Sequence, residues 1–305
     1  MTVLQRGPQL LKKEDEDIAK ELENILKEDG IDIRLNCSVE KFEQDKAGVA
    51  VVASAKDQQV RITGSHLLLA TGRTPNTEDL NLASAEVKTD SRGYVQVNER
   101  LETTSSGIWA LGDVNGGPQF THVSFDDYRI VKANVFANEQ RTTSDRLVPF
   151  TLFTEPELAR VGLTEKEARA QGRDIRVAML PAASIPRAKT MSETRGLIKA
   201  VTDAKTGRIL GCVILAPAAG EMLGAVQMTM VADLPFTALR DAVLAHPTMV
   251  EGFGKLIRHR RVIKEAANRL YGKASQSRIL LCQTDEAELV DASTLIRCTL
   301  HTFCV

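Results

Sequence analysis

The stretch that most constrains this chain is "GIWALGDVNGGPQFTHVSFDDYRIVKANVF", residues 107–136. The run "IWALGDV" reads as a buried strand ending in a Gly-Asp turn, and "QFTHVSFDDYRIVKANVF" reads as the helix that follows. A strand entering a helix through a tight glycine turn builds a ligand site at the carboxyl edge of an α/β sheet, where helix N–H groups face outward. All-helical and all-β folds are excluded.

The rest of the chain fits that class. "TVLQR" has strand character, and "EDEDIAKELENILKEDG" carries Ile18, Leu22, Ile25 and Leu26 at helical spacing, with acids in the first turn and Gly30 past the end. Four β-rich segments follow, "IDIRLNCSV", "AGVAVVAS", "QQVRITG" and "SHLLLATG". The last is apolar almost throughout, the pattern of a strand buried on both faces. Residues 74–107 are turn-rich, with Tyr94 and Trp109 expected in the core. Near residue 146 the character changes to a second, α+β region. It has a short helix capped by Thr164 and Glu167, three strands expected to pair antiparallel, a hairpin loop "DAKTGR", and a helix "AGEMLGAVQMTMVADL" apolar on nearly all sides. That helix is expected to be buried in its own core or against another subunit.

Several functions are excluded by bulk properties. A net charge of -1 argues against a nucleic-acid partner. No apolar run approaches the roughly 20 residues of a membrane helix, and "MTVLQRGPQLLKKEDED" lacks the core of a signal peptide, so no membrane partner and a cytoplasmic location are expected. The five cysteines, at 37, 212, 282, 298 and 304, have neither disulfide-framework nor zinc-ligand spacing, and no metal site is expected.

At "LLLATGRTPN" (67–76), "GIWALGDVNGGPQFTHV" (107–123), "TLFTEPELARVGLTEKEA" (151–168) and "HPTMVEG" (246–252), the chain resembles the FAD-dependent pyridine nucleotide-disulfide oxidoreductases, on the branch that includes mercuric reductase. The resemblance implies an incomplete Rossmann-like FAD/NAD(P)-binding region followed by an α+β dimerisation domain with an antiparallel sheet. It places the later part of the NAD(P)H domain at 1–68, the returning half of the FAD domain at 69–145, dimerisation at 146–257, and leaves an atypical tail at 258–305. It implies a homodimer formed through 146–257, or pairing with an intact homologue.

The site residues follow from the same resemblance. The Ala70, Thr71, Gly72 turn lets backbone approach where the nucleotide domains meet. Asp113 is expected to accept hydrogen bonds from the ribityl hydroxyls of FAD, with Gly112 making room. The helix beginning near Gln119, Phe120 and Thr121 is expected to offer N–H groups to the flavin. Arg6, after the first strand, is a candidate partner for a 2′-phosphate; this tips the NAD(P)H choice toward NADPH. A surface arginine is the plain alternative, as a structural cap is for Asp113 and a packed or surface histidine is for His122. His246 and Glu251 resemble the catalytic pair that reaches across the dimer to a partner's thiols, an imidazole oriented by a carboxylate.

Other family features are absent. No G-x-G-x-x-G loop opens a helix and no C-x4-C pair occurs, so the chain is expected to begin just after the second phosphate loop and to be inactive or partner-dependent. Mercuric reductase is understood to carry tyrosine where His246 stands and a vicinal cysteine pair near its end. Here Cys298 and Cys304 are separated by five residues, which argues against mercury as the acceptor. The alternatives are a non-catalytic interaction protein and a decayed gene product.

Overall fold

The computed structural model describes residues 1–256 other than 47, 56, 57 and 145; the tail beginning at 258 lies outside the described residues. Strand β1 (Thr2–Leu4) pairs in parallel with β2 (Asp32–Arg34), and helix α1 (Glu16–Glu28) connects them. Ile18, Leu22 and Ile25 line one buried stripe of α1, as their spacing requires, and Gly30 ends it at φ +82. An antiparallel meander follows: β3 (Cys37–Asp45), β4 (Gly48–Ala55) and β5 (Gln58–Gly64). Ala50 to Ala53 on the central strand are buried.

Two strand expectations are corrected. Leu67, Leu68 and Leu69 form no strand and are 41%, 87% and 61% exposed. "IWALGDV" likewise forms no ladder. Trp109 makes an isolated bridge to Glu102, Ala110 is buried, Ile108 and Leu111 are exposed, and Gly112–Asn115 is a 3-10 turn. An apolar run records that a segment is meant for burial, whereas a strand needs a neighbour to satisfy its N–H and C=O groups. Among the described residues 67–69 have no such neighbour, and 108–110 have only the single bridge to 101–103. Residues 86–110 instead form short antiparallel bridges over a small core of Val87, Val95 and Ala110. Helix α2 (Thr121–Ala137) follows the Gly-Asp turn as expected.

Beyond residue 146 lies a five-stranded antiparallel sheet in the order β6-β7-β10-β9-β8. Its strands are β6 (Phe150–Leu152), β7 (Leu158–Gly162), β8 (Ile175–Pro181), β9 (Leu197–Asp203) and β10 (Ile209–Leu215). Helix α3 (Glu165–Ala170) opens with the expected capping box: Thr164 accepts from Glu167 N–H while the Glu167 side chain accepts from Thr164 N–H. Helices α4 (Pro186–Thr190), α5 (Ala219–Val231), α6 (Phe236–Arg240) and α7 (Phe253–Leu256) complete the described residues, and all four contribute to the core on one sheet face. Met222, Leu223 and Val226 of α5 sit in that core, while Met228 and Val231 on its other side are 62% and 61% exposed.

The opposite face is covered from far away in sequence. Ile18, Leu22 and Ile25 of α1 pack on Leu158, Val213 and Leu215. Polar contacts tie the same junction. Asp15 accepts the Glu165 and Lys166 N–H groups at 3.0 Å each, capping α3 from outside it. Lys199, 3% exposed on β9, lies 2.7 Å from Asp17 and 3.0 Å from both Asp15 and Glu165. Among the described residues no helix is long and apolar enough to cross a membrane. Nor does any group of three or more His, Cys, Asp and Glu among them have the arrangement to hold a metal ion.

Candidate functional site

The Gly-Asp turn shapes an open cleft of about 610 Å³ lined by Arg73, Leu111, Gly112, Asp113, Gln119, Phe120, Thr121 and Ser124. Gly112 has φ +72, and a Cβ there would lie 2.7 Å from Ser124 Oγ, so the turn approaches α2 this closely only because residue 112 is glycine. The turn presents the Asp113 carboxylate to solvent. No side chain caps the N-terminus of α2; the Phe120 N–H donates to the Pro118 carbonyl at 3.0 Å, and the first helical turn opens at Thr121 beside the cleft.

Five of the expected flavin contacts therefore meet here: Gly112, Asp113, Gln119, Phe120 and Thr121. Ala70, Thr71 and Gly72 do not line the cleft; they are exposed, and Gly72, at φ +129, has open space around its Cα. Their successor Arg73, which the sequence reading passed over, does line it. Arg73 NH1 donates to Asp113 Oδ2 at 2.8 Å. The buried Tyr94 joins the two walls: its hydroxyl donates to the Arg73 carbonyl at 3.2 Å and accepts from Gln119 Nε2 at 3.0 Å. The signal for Arg73 was its place directly after a glycine turn, where a cation reaches whatever the turn exposes. His122 turns aside, its Nε2–H donating to the Pro149 carbonyl at 2.8 Å and its ring stacking on Phe120.

These groups suit a dinucleotide's middle section. A carboxylate accepts from polyol hydroxyls, a guanidinium and free helix N–H groups favour anionic oxygens, and an apolar ring supplies a flat wall.

The second expected pair is formed. His246 Nδ1 and Glu251 Oε2 are 3.0 Å apart, and the other Glu251 oxygen accepts the Thr248 N–H at 3.0 Å. A carboxylate at Nδ1 selects the tautomer that carries its proton there, leaving Nε2 as an acceptor. The imidazole is 66% exposed, whereas Glu251 is largely covered, so the base points outward on a fixed support. Arg6 lies exposed just past β1.

Residues 1–127 match the family model described as pyridine nucleotide-disulphide oxidoreductase, and residues 148–257 match its dimerisation domain. The chain belongs to the pyridine nucleotide-disulfide oxidoreductases, with the incomplete nucleotide-binding region and antiparallel-sheet dimerisation domain of that fold. It is 42% identical over 257 residues to the probable pyridine nucleotide-disulfide oxidoreductase RclA of Escherichia coli (strain K12), covering 84% of this chain and 57% of that protein. It is 36% identical over 252 residues to mercuric reductase of Staphylococcus aureus, covering 83% and 46%. The solved structure of the HOCl-induced flavoprotein disulfide reductase RclA from Escherichia coli superposes with a TM-score of 0.78 at 43% identity, over 84% of this chain and 58% of that one. The chain thus spans about half the length of the curated relatives it matches.

Proposed function

We propose that this chain supplies the second half of an FAD-dependent NAD(P)H oxidoreductase of the disulfide-reductase type. Residues 1–68 belong to the NAD(P)H-binding domain, 69–145 to the FAD-binding domain and 146–257 to the dimerisation domain. The observation that carries the reading is Asp113, held on a glycine turn beside Arg73 at the mouth of an uncapped helix. Asp113 accepts from the ribityl hydroxyls, Arg73 faces the adjoining phosphate oxygens, and the first N–H groups of α2 face the flavin ring. FAD, when bound, carries electrons from the nicotinamide to an acceptor.

His246 and Glu251 act on thiols that lie outside this chain, since it holds no C-x4-C pair. Nε2 takes a thiol proton as the thiolate forms and returns it when the disulfide has been reduced. A histidine here favours a disulfide over mercury. A metal acceptor is the second reading, and a solved structure of the relative RclA is described as its Cu(II) complex. The protein works in the cytoplasm as a homodimer through 146–257, where the outer side of α5 presents Met228 and Val231. Arg6 favours NADPH. Turnover requires phosphate loops from elsewhere, because those loops hold the dinucleotides' charged centres.

The test is an FAD titration of the purified chain followed by flavin fluorescence. Saturable binding is expected, weakened about tenfold or more by Asp113→Asn, which removes a charged acceptor. Equal affinity in the two proteins would refute the assignment of Asp113.

A further inference from the structure

One buried charge near the cleft has no part in the reading above. Asp127, in the second turn of α2, is 1% exposed. Its Oδ2 accepts the Gly112 N–H at 2.8 Å and Asn115 Nδ2 at 3.1 Å, and its Oδ1 accepts Arg146 NH1 at 2.5 Å. Both oxygens are filled, and the three donors come from two ends of the Gly-Asp turn and from the chain just before β6. Asn115 in turn accepts the Gly117 N–H at 2.9 Å and donates to the Ala110 carbonyl at 3.3 Å, so one carboxylate indirectly fixes residues 110–117.

We propose that Asp127 is the positioning residue of this turn, and that through Arg146 it couples the aim of Asp113 to the five-stranded sheet. A buried carboxylate with directional donors has one low-energy orientation. The bond to Gly112 N–H therefore holds the peptide whose left-handed φ turns Asp113 toward the cleft. The same Arg146 nitrogen, NH1, also lies 3.5 Å from Asp126 Oδ2, so it faces both carboxylates. A parallel tie runs through the cleft wall: the Phe120 ring stacks on Phe150 of β6, centroids 6.1 Å apart. Any shift of the sheet edge at 146–150 is thereby felt at residues 112 and 120 together. The inference rests on Asp113 being a flavin contact, but the turn can be measured without flavin.

The experiment is amide hydrogen exchange by mass spectrometry on the full chain, wild type against Asp127→Asn and Arg146→Lys, with FAD titrations of each. Asparagine matches the shape but puts an NH2 where one oxygen accepts. Exchange across 110–117 is expected to rise about tenfold or more in Asp127→Asn, with 197–215 unchanged. Arg146→Lys, which keeps the charge but replaces the rigid planar guanidinium with a shorter, freely rotating ammonium, is expected to give a smaller rise in the same peptides and decides the matter if Asp127→Asn does not fold. FAD affinity should fall in the same order. Exchange at 110–117 that stays at the wild-type rate overturns the proposal, as does an equal rise in both regions, which marks a role in global stability alone. FAD binding that is unchanged despite a loosened turn also overturns it. If the wild type binds no FAD, the flavin reading fails by itself and exchange still decides whether Asp127 holds the turn.

Discussion

Replacing Lys199 by methionine keeps most of the side chain's volume and removes its charge from between Asp15, Asp17 and Glu165. Burial alone pulls the Lys199 ammonium pKa down, yet the three carboxylates outweigh it and the net shift is upward. Glu165 is held below the ordinary carboxylate range first by its bond to Lys199. Burial pushes Asp15 up, but the Lys166 and Glu165 N–H groups and Lys199 bring it below that range. Breaking a buried ion pair from one side costs about 3–5 kcal/mol. Asp17 and Glu165 can turn toward water, which places the expected loss near the lower end, about 3 kcal/mol. For a region of this size that lowers Tm by about 6–12 °C. Lowered carboxyl pKa values contribute stability above the ordinary carboxylate range and lose it as pH falls through the folded-state values. The gap between wild type and Lys199→Met, read from thermal melts by circular dichroism, should therefore be widest near pH 7 and close below about pH 4. Glu14, raised by burial despite Arg160, runs in the opposite sense but in both proteins alike. A drop under about 2 °C at pH 7, or a gap independent of pH, would refute the reasoning.

Three further outcomes are expected. Gly112→Ala should destabilise the chain by about 1–3 kcal/mol in urea unfolding, from the left-handed backbone and the contact with Ser124 Oγ; Ser124→Ala in the same chain should recover the steric part only. Glu251→Ala should release the His246 ring from a single tautomer to a mixture, read from imidazole nitrogen shifts; an unchanged Nδ1–H tautomer would mean that Glu251 does not orient the base. Burial pushes the Cys212 thiol up to about 12. Iodoacetamide should therefore modify it only after denaturation, and rapid labelling of the native chain would show that the sheet interior is open.

Local features were legible where the determining residues lie within one or two turns of each other. The stripe of Ile18, Leu22 and Ile25, the Thr164–Glu167 box and the hairpin "DAKTGR" each formed where the pattern put them, with Asp203 Oδ1 accepting the Lys205 and Thr206 N–H groups in the loop. The Gly-Asp turn and the His246–Glu251 pair were legible for the same reason. What α1 packs against was not. Its apolar stripe says that it is covered, but Leu158 and Leu215 lie well over a hundred residues away, and no period encodes that distance. The leucines at 67–69 show the converse failure, an apolar pattern whose covering partner is absent from the described residues. Asp127 escaped because a carboxylate beside a second acid, Asp126, reads as solvated until its donors are placed around it, even though it shares the buried face of α2 with Val123 and Ile130.

Two sets among the exposed apolar side chains bear on what can complete the site. Leu67 to Leu69, Ile108, Leu111, Phe125, Tyr128 and Phe136 lie on the segments around the cleft and on α2; Met228, Val231, Leu234 and Val243 lie on α5 and the loops after it. Covering the second group by another copy would leave the first exposed, since an isologous contact uses the same patch on both subunits. On the proposed roles of His246 and Asp113, dimerisation alone therefore gives a base without a flavin-binding half beside it. On the same proposal, covering the first group alone gives a nucleotide site whose His246 has no partner subunit to reach. If the chemistry needs both, flavin affinity and thiol reactivity should respond to different perturbations: flavin affinity to the turn held by Asp127, and thiol reactivity to the side of the sheet that bears α5 and Glu251.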